Sequence, residues 1–188
     1  MRIAIVGAGY VGLVSGACFA DFGHQVTCID KDASKITALR RGKIPIFEPD
    51  LERLVQNNVK NGRLDFDTDL AGPVRVADAV FIAVGTPSRR GDGHADLSYV
   101  YAASREIAAA LDGFTVVITK STVPVGTGDE YQTYLELRRD LPAIGKRVES
   151  VKGNGEVVFP LYLVTDRRTA GANRILDVGR RSAQRARR

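Results

Sequence analysis

Along the first 130 residues, short runs rich in apolar and β-branched residues alternate with longer helix-compatible stretches, most of them closed by glycine. Residues 2–6, 25–30, 77–84 and 114–119 are runs of the first kind, the last rich in β-branched side chains, and each reads as a strand. The run at 77–84 is apolar almost throughout, as central parallel strands covered on both faces are. Residues 64–67 form a shorter run and predict a weaker strand. Between these lie predicted helices at residues 13–22, 33–41 and 50–61, ended by Gly23, Gly42 and Gly62 in turn. In the third of them Leu51, Leu54, Val55 and Val59 are expected on one face. After a polar, glycine-rich loop at 88–95, Asp96 is expected to cap a long helix running to about Asp112. Strands and helices alternating at this spacing predict an α/β protein with a doubly wound parallel sheet.

The first strand-to-helix junction carries the most chemistry. Gly7-Ala8-Gly9-Tyr10-Val11-Gly12 follows the first strand directly and opens a helix, the Rossmann-like arrangement of a dinucleotide site. Gly7 serves the tight turn, Gly9 the approach of a pyrophosphate to the backbone, and Gly12 the close packing of helix on strand. The free amide groups at the helix start suit the phosphates. Asp30 ends the second strand, 21 residues beyond Gly9. A carboxylate there accepts the ribose hydroxyls of the adenosine half and repels a 2′-phosphate, which favours NAD over NADP. Gly85-Thr86-Pro87 and Ser121-Thr122 end later strands, so these hydroxyls and the glycine turn are expected to share one rim at the carboxyl ends of the sheet.

Composition narrows the setting. A chain of 188 residues holds one domain, or one domain with an appendage, and no apolar run approaches a membrane span or a cleavable leader. A cytoplasmic protein is expected. Cys18 and Cys28 stand apart from each other and from any histidine partner, and both read as small buried hydrophobes. His24 and His94 read as structural, and nothing suggests a metal site. The net charge of +5 is uneven: residues 1–130 hold 14 Lys+Arg against 16 Asp+Glu, a net of −2, while residues 131–188 hold 13 against 6, a net of +7. Basicity thus belongs to the end of the chain, and the dinucleotide region shows no pattern of a nucleic-acid binder.

Five ordered segments together resemble the amino-terminal half of the UDP-glucose 6-dehydrogenase family, most closely its bacterial branch. They are Ile5 through Leu13, Ile44-Pro45-Ile46-Phe47-Glu48-Pro49, Ala83-Val84-Gly85-Thr86-Pro87, Ala95-Asp96-Leu97-Ser98-Tyr99-Val100 and Lys120-Ser121-Thr122-Val123-Pro124-Val125-Gly126-Thr127. The resemblance covers residues 1–130 and implies oxidation of UDP-glucose to UDP-glucuronate with two NAD molecules, for polysaccharide precursor synthesis. Carried over position by position, it implies that Tyr10 and Val11 present backbone to the pyrophosphate, that Asp30 and Lys35 hold the adenosine ribose, and that Thr86 contacts the cofactor. Thr122 matches the family threonine that holds a water near the reacting carbon and borders the cofactor. The family's nucleophilic cysteine, its neighbouring lysine and asparagine, and a glutamate in an Asn-Pro-Glu-Phe-Leu segment all lie downstream of the matched region. Related dehydrogenases of GDP-mannose or UDP-N-acetyl-mannosamine, and a non-catalytic NAD-binding module, stand as alternatives.

Past Glu130 the pattern changes. Residues 131–188 contain 11 Arg and 2 Lys, no cysteine and no Asn-Pro-Glu-Phe-Leu segment, and no long connecting helix of the kind that builds the family's homodimer. Two expectations follow for this segment. Either it is a GC-rich stretch joined out of frame to a truncated dehydrogenase, or it is a replacement domain in which residues 131–139 form a helix and 157–164 one or two strands. The arginine-rich end from Gly179 is expected to be a disordered, solvated tail.

Overall fold

In the first strand Ile3, Ala4, Ile5 and Val6 are all buried, although consecutive side chains point to opposite faces. That requires cover on both sides of the sheet, and helices supply it. The computed structural model describes residues 1–89, 94–113 and 115–123, together with the backbone of two strands further along. β1 (Arg2–Val6), β2 (Gln25–Ile29), β3 (Leu64–Asp67), β4 (Ala79–Ile82) and β5 (Thr115–Thr119) run parallel in the order β3-β2-β1-β4-β5. The order therefore reverses between β1 and β4, the place where a doubly wound sheet opens a crevice.

Alternate residues of each strand feed two cores. On one face α1 (Tyr10–Asp21), α2 (Ala33–Arg40) and α3 (Leu51–Lys60) bring Leu13, Ala17, Ile36, Leu39 and Val55 onto Ile3, Ile5, Val26 and Cys28. On the other, α4 (Ala71–Val76) and α5 (Ser98–Ala110) set Val74, Val100 and Ile107 against Ala4, Val6, Val80 and Val117. Each large side chain sealed in this way contributes roughly 1.5–3 kcal/mol. Beyond β5 the sheet continues with β7 (Leu161–Val164) and then β6 (Lys146–Val148), both pairings antiparallel. The expected strand at 157–164 is thus present in its second half. Residues 157–160, the helix expected at 131–139 and the arginine-rich end lie outside the described residues.

Several boundaries differ from the sequence pattern. α1 begins at Tyr10 rather than Leu13, because Gly9 already serves as its N-cap. β4 is confined to Ala79–Ile82, flanked by ladder-like bonds in which Asp78 N donates to Arg2 O and Ala83 N to Val6 O. α3 starts after Asp50, which takes a left-handed conformation with φ 62°. Its buried stripe is Leu51, Val55 and Asn58, whereas Val59 is exposed. Asn58 is tolerated there because its amide donates to Leu54 O at 2.9 Å and its carbonyl accepts from Arg63 Nε at 3.1 Å. α4 has no counterpart in the sequence reading, since Gly72-Pro73 looks like a break. It forms because Pro73 sits in the first turn, where its missing N–H costs nothing, and because the Asp69 carboxylate accepts from Ala71 N and Gly72 N, each at 3.0 Å. Cys28 is buried as expected, but Cys18 is only half-buried.

Candidate cofactor site

The three glycines of the turn do three different things. Gly7 has φ 108°, and a Cβ there would stand 2.5 Å from Ala83 O on the neighbouring strand end. A Cβ on Gly12 would lie 1.8 Å from Gly7 O, so the first turn of α1 packs directly onto the loop that precedes it. At Gly9 a Cβ would meet nothing within 4 Å: this face of the turn is open. Gly9 caps α1 without a side-chain bond, and the first i to i−4 bond is Leu13 N to Gly9 O. The amides of Tyr10, Val11 and Gly12 therefore have no intrahelical acceptor. No acidic residue occupies the first turn to compete for them.

Asp30, just past β2, turns its carboxylate back toward this loop. Oδ2 accepts from Ala8 N at 3.0 Å and from Lys35 Nζ at 2.7 Å, and Oδ1 accepts from Asp32 N at 3.0 Å. The pair with Lys35 is largely enclosed. About three of the roughly four acceptor positions of the carboxylate are thus in use, while the Lys35 ammonium keeps donors to spare. Asp32 in turn caps α2, accepting from Ser34 N and Lys35 N. Its bonds with the Ser34 hydroxyl and the Lys35 amide hold its carboxyl below the usual value.

These groups border a cleft of about 870 Å³ at the carboxyl ends of β1, β2 and β4. Of the residues singled out from sequence, Gly7, Gly9, Asp30 and Lys35 line it. Thr86 stands half-buried between two lining residues, Gly85 and Pro87. Tyr10, Val11 and Gly12 form the adjoining helix turn outside the wall. The Tyr10 hydroxyl donates to Glu48 Oε2 at 2.5 Å, an acceptor that pushes the phenol pKa up. Thr122 is exposed past the end of β5 and does not line the cleft. It is Ser121 that ties β5 to β4, its hydroxyl donating to Val84 O at 2.7 Å. The strand ends do share a rim, as Ala83 N donates to Val6 O and Lys120 N to Ile82 O, each at 2.8 Å.

Sequence reasoning missed part of the wall: Lys31, Asp69, Leu70, Arg75 and Glu106 all line the cleft. For Lys31 the signal was its place beside Asp30. The others come from α4, the loop before it and α5, with no local motif to announce them. Neither cysteine lines the cleft. Cys28 lies under α1 on the opposite face of the sheet, and burial pushes its thiol up to about 12.

A parallel sheet whose strand order reverses over an open glycine turn, with an acid at the end of β2, defines a dinucleotide-binding domain of the dehydrogenase type. A sequence model described as the NAD binding domain of the UDP-glucose/GDP-mannose dehydrogenase family matches residues 1–168. The chain belongs to that family, and its cofactor is NAD. It is 72% identical over 132 residues to the UDP-glucose 6-dehydrogenase of Rhizobium meliloti, covering 70% of this chain and 30% of that protein. The UDP-glucose 6-dehydrogenase of Rickettsia conorii is 37% identical over 173 residues, 92% of this chain and 39% of its own length. Among solved structures, the GDP-mannose dehydrogenase of Pseudomonas aeruginosa superposes with a TM-score of 0.66 at 38% identity, covering 72% of this chain and 32% of that one. The chain thus spans about a third of the length of the relatives it matches.

Proposed function

We propose that this chain is the cofactor-binding part of a UDP-glucose 6-dehydrogenase, acting in the cytoplasm on a UDP-sugar in polysaccharide precursor synthesis. The observation that carries the reading is the 72% identity over 132 residues to the Rhizobium meliloti enzyme, in a chain whose glycine turn and Asp30 border one cleft. The residues fit the cofactor on physical grounds as well. Open space at Gly9 and the unpaired amides of Tyr10 and Val11 suit the pyrophosphate. Asp30 Oδ1 and the Lys35 ammonium together suit the two ribose hydroxyls, the lysine making up for the acceptors already used on the carboxylate. Thr86 on the rim suits a contact to the cofactor's far half. Thr122, exposed just past the end of β5, takes the role only by its match to the family threonine that holds a water near the reacting carbon, a donor that steadies developing negative charge only in company with others. NAD supplies the hydride acceptor for both oxidations.

The chain's own residues stop short of the second oxidation. In this family reading it passes through a thiol adduct, yet Cys18 and Cys28 are the only cysteines and neither borders the cleft. We therefore expect this chain to bind NADH, seen as an enhanced and blue-shifted NADH emission, without forming glucuronate from UDP-glucose and NAD. Sustained production of UDP-glucuronate would contradict the assignment of roles, and an unchanged NADH emission would contradict the cofactor site. We also take residues 1–130 as the cofactor domain and 131–188 as a distinct arginine-rich segment. In support, the Rhizobium meliloti match spans 132 residues, although the family match itself runs on to residue 168. Sequencing the gene with its flanking DNA tests this: an Asn-Pro-Glu-Phe-Leu segment restored by a one-base correction would identify 131–188 as out of frame.

A further inference from the structure

Two charged residues of the cleft wall have no part in the roles above. Lys31 directly follows Asp30, and Glu106 stands on α5, yet their side chains meet, Lys31 Nζ donating to Glu106 Oε1 at 2.5 Å. Both line the cleft, so the bond joins the β2 side of the site to the helix that walls its other side. In dinucleotide folds a cation beside the ribose acid is what accommodates a 2′-phosphate. Lys31 has the charge and the position for that task, but its ammonium is turned toward α5.

We infer that Glu106 is a specificity-determining residue: by tethering Lys31 it withholds the cation next to Asp30 from the ribose 2′ position, and so reinforces the choice of NAD over NADP. This rests on the NAD reading and adds a second layer to it. Asp30 repels a 2′-phosphate directly, whereas Glu106 acts by occupying the partner such a phosphate would need. The charged side chains lining the cleft are Lys31, Lys35 and Arg75 against Asp30, Asp32, Asp69 and Glu106. Their balance is one negative charge, which Glu106→Gln removes while also releasing the lysine. The side chains of Lys31 and Glu106 are 75% and 42% exposed, and exposed ion pairs are weak. The effect on discrimination is accordingly about fivefold, largest at low ionic strength.

The test is titration of the whole chain with NADH and with NADPH, comparing the ratio of the two affinities. Glu106→Gln should shift the ratio toward NADPH by about fivefold. Lys31→Met should not move it toward NADPH, because it removes a tethered ammonium and leaves Glu106 uncompensated in the cleft. The double variant should return to the parent value. An unchanged ratio in Glu106→Gln overturns the inference. So does a double variant that keeps the full shift toward NADPH, since the released Lys31 would then not be its cause. A parent chain that binds neither nucleotide contradicts the cofactor site itself, a different failure from a parent that binds NADH while Glu106→Gln leaves its preference alone.

Discussion

At Gly7 and Gly12 the protein's own backbone fills the place of a side chain, while at Gly9 nothing does. This separates folding from binding within six residues. Gly12→Ala would force a methyl to within 1.8 Å of Gly7 O, and the chain should lose its cooperative unfolding transition. Gly9→Ala should keep the parent's midpoint and weaken NADH by on the order of tenfold, because only the approach of the pyrophosphate is obstructed. Circular dichroism melts beside NADH titrations check both, and equal midpoints for Gly12→Ala and parent would refute the packing argument. The thiols offer a second contrast. With Cys28 pushed up to about 12 by burial and Cys18 half-exposed, a thiol reagent at pH 8 should modify one cysteine in the folded chain and two in denaturant. Rapid loss of both thiols from the native chain would show that α1 does not seal Cys28. The glycine roles and Asp30 were legible in the sequence because they depend on spacing along a single βαβ unit. The bonds from Tyr10 to Glu48 and from Lys31 to Glu106 were not, since they join residues 38 and 75 positions apart and require the fold to be known first.

Aspartates accept backbone amides at the starts of three helices near the site, but only Asp32 is an N-cap: Asp69 and, against the cap expected of it, Asp96 stand one residue before the N-caps Leu70 and Leu97 of α4 and α5. Asp32 is held low chiefly by the Ser34 hydroxyl, and Asp96 chiefly by the backbone N–H of Ser98. Since their folded pKa values are depressed, the stability they add is complete above the ordinary carboxylate range near 4 and is lost as pH falls through the lowered values. Asp32→Ala and Asp96→Ala should therefore lower the midpoint at pH 7 and narrow the gap from the parent below pH 4. A gap that stays constant from pH 7 to pH 3 would mean that the carboxylates do not hold these helix starts through their bonds to Ser34 and Ser98. α5 also supplies the cleft wall, and Ile107, fully buried in its middle, anchors it. Ile107→Ala should cost about 2–5 kcal/mol in denaturant titration. Glycine stops revealed α1 and α2, an apolar stripe with a glycine stop α3, and an expected cap α5, whereas α4 was hidden because its six residues include Gly72-Pro73 and no amphipathic repeat. The α3 stripe was misread at Val59 because a fully bonded asparagine, Asn58, takes the inward position instead.

For the whole molecule, the alternation of runs in residues 1–130 was enough to give five parallel strands covered on both faces. Strand order was not readable from the runs themselves. It is the reversal between β1 and β4 that opens the cleft and gathers residues from positions 6 to 110 around it. The antiparallel addition of β7 and β6 was half visible, as an apolar run without a partner. The uneven charge has a consequence at this scale too: a domain with a net of −2 has no electrostatic reason to hold a polyanion, so any such binding belongs to the basic end and should fall steeply with salt.

The central claim, that this fold carries a working NAD site, is tested most directly by thermal unfolding of the whole chain with and without NAD, beside Asp30→Ala. A ligand that binds only the folded state at about one hundred times its Kd stabilises by roughly 2.7 kcal/mol, a shift of several degrees at this size. Because Asp30 also holds Ala8 N and Lys35, each protein is compared with its own ligand-free midpoint. The expected result is a rise in the parent that is lost in Asp30→Ala. A parent midpoint unmoved by saturating NAD, or an equal rise in both proteins, would contradict the account.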